Sequence, residues 1–248
     1  MLKLNLFENG VDSINHGVKH FAESDYKQAI LSVYQGVELL LKESLRRISP
    51  ELIYTDKKPV HTGSHTVDYK ELLNRLRECD LTDDDKADQL KFLRIERNNI
   101  QHYEVHLSKE DAEWILGKAL NYICVFSSEK LGVEIEDQVS DADWKKIEEL
   151  VFSYEERDKK AKSRMGDDTP YGKEGSSYTE LECPYCLNET ILVNLDSKVD
   201  EADCYFCHQK ATVLECPRCG TKYAIMKEDK AEKQDSPCDA CFEREMGR

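Results

Sequence analysis

DYKQAILSVYQGVELLLKESLRRI, residues 25–48, sets the fold class. Within it Ala29, Ile30, Val33, Val37, Leu40, Leu41, Leu45 and Ile48 recur at mostly three- and four-residue steps. That spacing marks an amphipathic helix of about six turns with one apolar stripe to bury. Ser49-Pro50 ends it, because proline lacks the N–H of a further turn and pushes the residue before it out of helical geometry.

Outward from this helix the pattern stays helical. Residues 49–66 hold Pro50, Pro59, Gly63 and five Ser or Thr residues, and read as a loop. Asp68 caps a short helix through Cys79. Thr82 caps another that opens on Asp83-Asp84-Asp85 and runs past Leu90, Leu93 and Ile100. Ser108 and Asp111 form a capping box for a helix through Leu131, and Asp141 starts one more to about Glu156. Val-Ile-Thr alternation is scarce before residue 180. The expected fold is mainly α: a bundle of five or six helices over residues 1–156, then a small β-rich region.

That second region is announced by cysteine. Only Cys79 and Cys124 precede residue 180, in helical sequence and without partners, where they read as buried hydrophobes. The other eight form four C-x-x-C pairs: Cys183/Cys186, Cys204/Cys207, Cys216/Cys219 and Cys238/Cys241. The first two pairs are separated by 17 residues and the last two by 18, a twice-repeated zinc-ribbon pattern. Thiolates at i and i+3 of a tight turn occupy two corners of a tetrahedron, and a second turn carried by a β-hairpin supplies the other two. Thr190-Ile191-Leu192-Val193 and Ala211-Thr212-Val213-Leu214 are the short β-like runs this needs. The expectation is two structural four-cysteine zinc sites, ribbon 1 over 181–211 and ribbon 2 over 212–248. Sequential pairing is the choice; a crossed arrangement, iron in place of zinc, His208 in place of Cys207, and disulfides are the alternatives. Residues 157–180, RDKKAKSRMGDDTPYGKEGSSYTE, are almost free of aliphatics and read as a flexible linker. Tyr185, Tyr205, Phe206 and Tyr223 lie in or beside the cysteine turns, as miniature cores or as surfaces for stacking on bases.

Composition bounds the function. The 248 residues carry 35 Lys+Arg against 50 Asp+Glu, a net charge of −15. Residues 1–160 hold 23 basic and 32 acidic groups, so neither half is basic. This excludes a simple basic nucleic-acid binder, whose affinity rests on clustered Lys and Arg. No apolar run approaches the ~18 residues of a membrane span, and MLKLNLFENG lacks the features of a secretory leader. A cytoplasmic protein with no membrane association is expected.

The stretch that carries chemistry is Glu96-Arg97-Asn98-Asn99-Ile100-Gln101-His102-Tyr103. On a helix, Arg94, Arg97, Asn98, Gln101 and His102 share an arc of roughly 140°. A guanidinium clamps a phosphate through paired hydrogen bonds. An imidazole that titrates near neutrality takes a proton from a ribose 2′-hydroxyl or gives one to a leaving 5′-oxygen. The same spacing also fits a plain helix face whose Arg97 and His102 pair with carboxylates such as Glu43 or Glu104.

Arg97-Asn98-Asn99-Ile100-Gln101-His102 resembles the R-x4-6-H signature of the HEPN superfamily, with a polar residue directly after the arginine. Val37-Glu38-Leu39-Leu40-Leu41-Lys42 resembles an earlier helix of the same superfamily, and the likeness covers about residues 5–157. It implies a helical domain that dimerises so that two Arg/His motifs share a cleft, which in active members is a metal-independent endoribonuclease site. By that likeness His102 is the acid/base residue, Arg97 the phosphate clamp and Asn98 its orienting partner, with Glu38 or Glu43 in support. It implies RNA as substrate, a homodimer, a regulatory protein partner, and a toxin-like or phage-defence role. Tyr103 directly after His102 departs from the His-x-Tyr of members controlled by a nucleotidyltransferase. The alternative is a non-catalytic adaptor that binds nucleotide, nucleic acid or a protein partner.

Overall fold

The computed structural model describes residues 4–55, 65–82, 84–102, 107–169, 177–196, 198–233 and 235–245; the side chains of 84–91, 102, 232 and 243 lie outside that description. The chain divides into two compact units, residues 1–155 and 156–248. The first is helical and the second carries the strands, as the pattern predicts.

In the first unit α1 spans Leu6–Ala22 and α2 spans Tyr26–Ile48, within a residue of the predicted helix. Asn5 and Glu8 close a capping box on α1, and the Asp25 carboxylate accepts from Gln28 N–H at the start of α2. These two helices pack unusually close. A Cβ on Gly36 would lie 2.7 Å from the Gly10 carbonyl oxygen, and one on Gly17 would lie 2.9 Å from that of Ala29. Only glycine permits this approach, so the seam fixes α1 on α2 with Ile14, Val18, Val33, Val37 and Leu40 buried.

A turn at Pro50–Ile53 follows, then α3 at Tyr69–Glu78, capped by Asp68 as expected. Helix α4 runs Asp84–His102 and α5 runs Lys109–Phe126 from the Ser108/Asp111 capping box. The chain then widens into a single turn at Ser127–Leu131 and stops at Gly132, whose φ is 63°. Helix α2 is central and touches α1, α3, α4 and α5.

Helix α6 spans Asp141–Asp168, contributing its last thirteen residues to the second unit. The flexible linker expected over 157–180 is therefore helical as far as Asp168; residues 170–176 lie outside the described residues. Its apolar stripe is sparse but real: Ala161 and Met165 are buried one turn apart. Arg157, one turn earlier, donates through Nε to the Phe206 carbonyl at 2.8 Å and lies 5.2 Å from that ring. Three turns on, Asp168 accepts from the Tyr205 hydroxyl at 2.7 Å.

Five strands follow: β1 Tyr178–Glu182, β2 Glu189–Asn194, β3 Glu201–Asp203, β4 Lys210–Glu215 and β5 Lys222–Ile225. β1 and β2 form one antiparallel hairpin, and β3-β4-β5 form an antiparallel meander. Short helices α7, Lys230–Lys233, and α8, Asp239–Glu245, complete the unit. The ribbon boundary expected between 211 and 212 falls inside β4, which serves both metal-binding turns. Among the described residues no helix is long and apolar enough to cross a membrane.

Candidate functional site

Helices α2 and α4 each present one polar stripe, and they meet. On α2 the residues are Tyr34, Glu38 and Lys42, four residues apart and so on one face. Lys42 donates through Nζ to Glu38 at 2.6 Å and to the Thr66 hydroxyl at 3.1 Å. On α4, Arg97 lies over the Tyr34 ring at 5.6 Å and donates through Nη1 to Asn98 Oδ1 at 3.0 Å. Burial, with the neighbouring Glu38 carboxylate second, holds the Tyr34 hydroxyl well above its ordinary range despite Arg97 and Arg94. It therefore stays a neutral phenol. Tyr69 packs on Tyr34 with ring centroids 5.2 Å apart, and its buried hydroxyl has no hydrogen-bond partner among the described residues.

Lys42 thus pairs with Glu38, while Arg94 and Arg97 act on the neighbouring Tyr34 hydroxyl, in a protein of net charge −15. Arg97 and Asn98 are half-buried, while Arg94 and Gln101 are exposed. Among the described residues no carboxylate lies within ion-pair range of Arg97; the partners it does have are a ring and an amide oxygen. Glu43 takes no part in this cluster. It bonds Arg46 at 2.6 and 2.8 Å and Arg47 at 3.0 Å, and Arg47 reaches the Leu131 carbonyl. Burial opposes ionisation of Glu43, but the two guanidinium groups hold its carboxyl below the usual range. His102 closes α4; its side chain, and Tyr103 and Glu104, lie outside the described residues. Tyr34 and Tyr69 were not legible as site residues, because what places them is contact between helices far apart in sequence.

The four cysteine pairs assemble sequentially. Cys183, Cys186, Cys204 and Cys207 form one group, and Cys216, Cys219, Cys238 and Cys241 the other, with the sulfurs of each within 4.8 Å of one another. Sulfur–sulfur separations are 3.6 Å for Cys183–Cys207, 3.7 Å for Cys186–Cys204 and 3.8 Å for Cys219–Cys238. A tetrahedron with ~2.3 Å zinc–sulfur bonds has edges of about 3.8 Å, so both groups fit a zinc ion. None of the eight is in a disulfide, and the spacing is nearly twice the ~2.05 Å of that bond.

Three of the turns share one backbone design. The N–H groups of Leu187, His208 and Gly220 donate to the carbonyls of Cys183, Cys204 and Cys216. Each of these donors, the residue after the second cysteine, has positive φ, at 52°, 61° and 71°. His208 is accordingly a turn residue, exposed and outside the ligand set. The fourth turn departs from the expected hairpin: Cys238 and Cys241 sit at the start of α8, where Phe242 N–H donates helically to the Cys238 carbonyl.

The two sites differ in exposure. Cys183, Cys186, Cys204 and Cys207 are 0, 0, 1 and 9% exposed. Cys204 Sγ lies 3.1 Å from the Thr190 hydroxyl and accepts from the N–H groups of Phe206 and Cys207 at 3.4 Å. In the second site Cys219 is exposed and Cys238 half-buried. The rings beside the turns serve the unit's own packing: Phe206 is fully buried, and Tyr223 donates to the Ser236 carbonyl at 2.8 Å. Tyr185 accepts from Lys227 N–H at 3.2 Å. Cys79 and Cys124 are half-buried; burial and Glu134 push the Cys124 thiol up to about 12, which leaves it unreactive.

No family model, curated protein or solved structure matches this chain.

Proposed function

We propose that the helical unit is a metal-independent endoribonuclease working as a homodimer, with the zinc-loaded ribbons selecting RNA or a protein partner. The observation that carries this reading is Arg97, half-buried yet without a carboxylate partner among the described residues, held by the Tyr34 ring and Asn98. A guanidinium so placed is suited to a phosphodiester. Of the acids in the competing reading, a neutralised helix face, Glu43 is taken by Arg46 and Arg47, and Glu104 lies outside the described residues.

The chemistry follows from the groups. Arg97 holds the scissile phosphate through two donors, and Asn98 and Tyr34 fix its plane. His102, which ends the same helix, takes the proton of the ribose 2′-hydroxyl as that oxygen attacks phosphorus. The bond to the 5′-oxygen breaks, and the proton passes to that leaving oxygen. Products carry a 2′,3′-cyclic phosphate and a 5′-hydroxyl. Two copies sharing a cleft double the local positive charge, which offsets the acidic surface elsewhere.

The test is cleavage of mixed structured and single-stranded RNA without magnesium, comparing wild type with His102→Ala at equal helicity. Cleavage by the wild type alone, leaving 5′-hydroxyl ends, is the expected result. Equal cleavage by both, or 5′-phosphate ends, would refute it. Silence from both proteins would favour the non-catalytic adaptor.

A further inference from the structure

We infer that the second four-cysteine site is an oxidant-responsive metal site, entered through Cys219, while the first is a permanent structural one. The ligand sets are chemically the same, so the difference comes from what surrounds them. The first site is closed: its four cysteines are 9% exposed or less, and the Thr190 hydroxyl and two backbone N–H groups crowd Cys204. The ring of Phe206, in the turn between Cys204 and Cys207, is covered by Arg157 of α6. A peroxide meets no exposed cysteine there to compare with Cys219.

The second site is open on one side. Cys219 is exposed and Cys238 half-buried, and their sulfurs are 3.8 Å apart. Cys241 lies in α8, seven residues long, with Cys238 directly before it, and the helix is joined to the opposite turn by the Arg218–Glu245 ion pair. After β5 the described residues form only short helices, tied back by side-chain contacts such as Tyr223 to Ser236. The pair Cys219 and Cys238 can therefore close on one another without disturbing a strand.

The reaction balances with hydrogen peroxide as oxidant. The Cys219 thiolate attacks one peroxide oxygen, the O–O bond breaks, and a sulfenic acid and hydroxide form. The Cys238 thiolate then attacks that sulfur and expels the second hydroxide. Two thiolates lose two electrons, the peroxide gains them, and two protons complete two waters. Only Cys216 and Cys241 would then remain as thiolates, too few to hold a zinc ion. The first site retains all four ligands, so the β1–β2 hairpin and β3–β4 stay folded.

The inference rests on two zinc ions per chain, so metal content of the full chain is measured first; fewer than about two would overturn it while leaving the ribonuclease reading of the helical unit untouched. Hydrogen peroxide is then added and zinc release followed with a chromogenic chelator, with disulfides and alkylated cysteines mapped by mass spectrometry. Expected is one equivalent released at least about tenfold faster than the other, with a Cys219–Cys238 disulfide and Cys183, Cys186, Cys204 and Cys207 protected. Cys219→His keeps a ligand but removes the thiol, and should hold both equivalents under the same treatment. Release of both at one rate, or first from the buried site, refutes the inference. If the histidine variant does not load, the order of N-ethylmaleimide labelling of the wild-type holoprotein decides: Cys219 first supports it, any cysteine of the first site first refutes it.

Discussion

Glu96 precedes Arg97 on α4, and burial, with the Asp111 carboxylate second, raises its pKa from 4.5 to about 7. Its folded-state pKa lies above the unfolded one, so the folded state holds a proton that the unfolded state has lost between those values. Stability therefore falls as pH rises from about 4.5 to about 7 and is level beyond. Full ionisation in the fold costs about 3 kcal/mol at ~1.4 kcal/mol per pKa unit, and about 2 kcal/mol after allowance for partial exposure. Glu96→Gln carries the neutral shape at every pH. It should stabilise the helical unit by about 2 kcal/mol near pH 8, with the gain shrinking steadily toward zero as pH approaches about 4.5. Both tryptophans, Trp114 and Trp144, lie in that unit, so urea melts followed by their fluorescence report it selectively. A gain that does not change between pH 8 and about pH 5, or a loss at pH 8, would refute the reasoning.

Other expectations are as direct. Gly36→Ala should destabilise the helical unit by about 2 kcal/mol, the overpacking against Ile14 and the Gly10 carbonyl exceeding the ~1 kcal/mol gained in helix propensity. Gly166→Ala on α6 meets nothing within 4 Å and should raise stability by up to ~1 kcal/mol; thermal melts of the pair should shift in opposite directions. Arg157→Ala removes the bond to the Phe206 carbonyl and the guanidinium over its ring, and should cost the second unit about 1–3 kcal/mol, read as easier zinc loss to a competing chelator. Complete removal of zinc should abolish the β signal of residues 177–225 in circular dichroism while Trp fluorescence is unchanged, since a segment of this size has little core without its metals.

How much the sequence disclosed depended on the range of the forces involved. Helix α2 was legible because its burial stripe is periodic, and the cysteine turns because ligation needs i and i+3 thiolates. Capping residues Asp68 and Ser108 act on their own neighbours, so they too could be read directly. The distal half of α6 escaped notice because only Ala161 and Met165 of its stripe are apolar, and the surface stabilising it is folded by residues 178–225. The helical fourth turn had a local signal: Phe242-Glu243-Arg244-Glu245 follows Cys241 with good helix formers and no glycine. The Tyr34–Arg97 contact had none, since 63 positions separate its partners.

Strand β4 joins the turn of Cys204/Cys207 to that of Cys216/Cys219. Its six residues at ~3.3 Å each span about 20 Å between those turns. Each zinc tetrathiolate carries about two negative charges, and at that distance their repulsion in water is under about 1 kcal/mol before screening. Any coupling between the two sites is thus carried by the polypeptide, not by charge. Order in β4 around Cys204 and Cys207 also brings Cys216 into register, so an ion bound at one site would spare the other part of its ordering cost. Zinc uptake would then be cooperative, a limited supply leaving loaded and empty chains in preference to half-loaded ones.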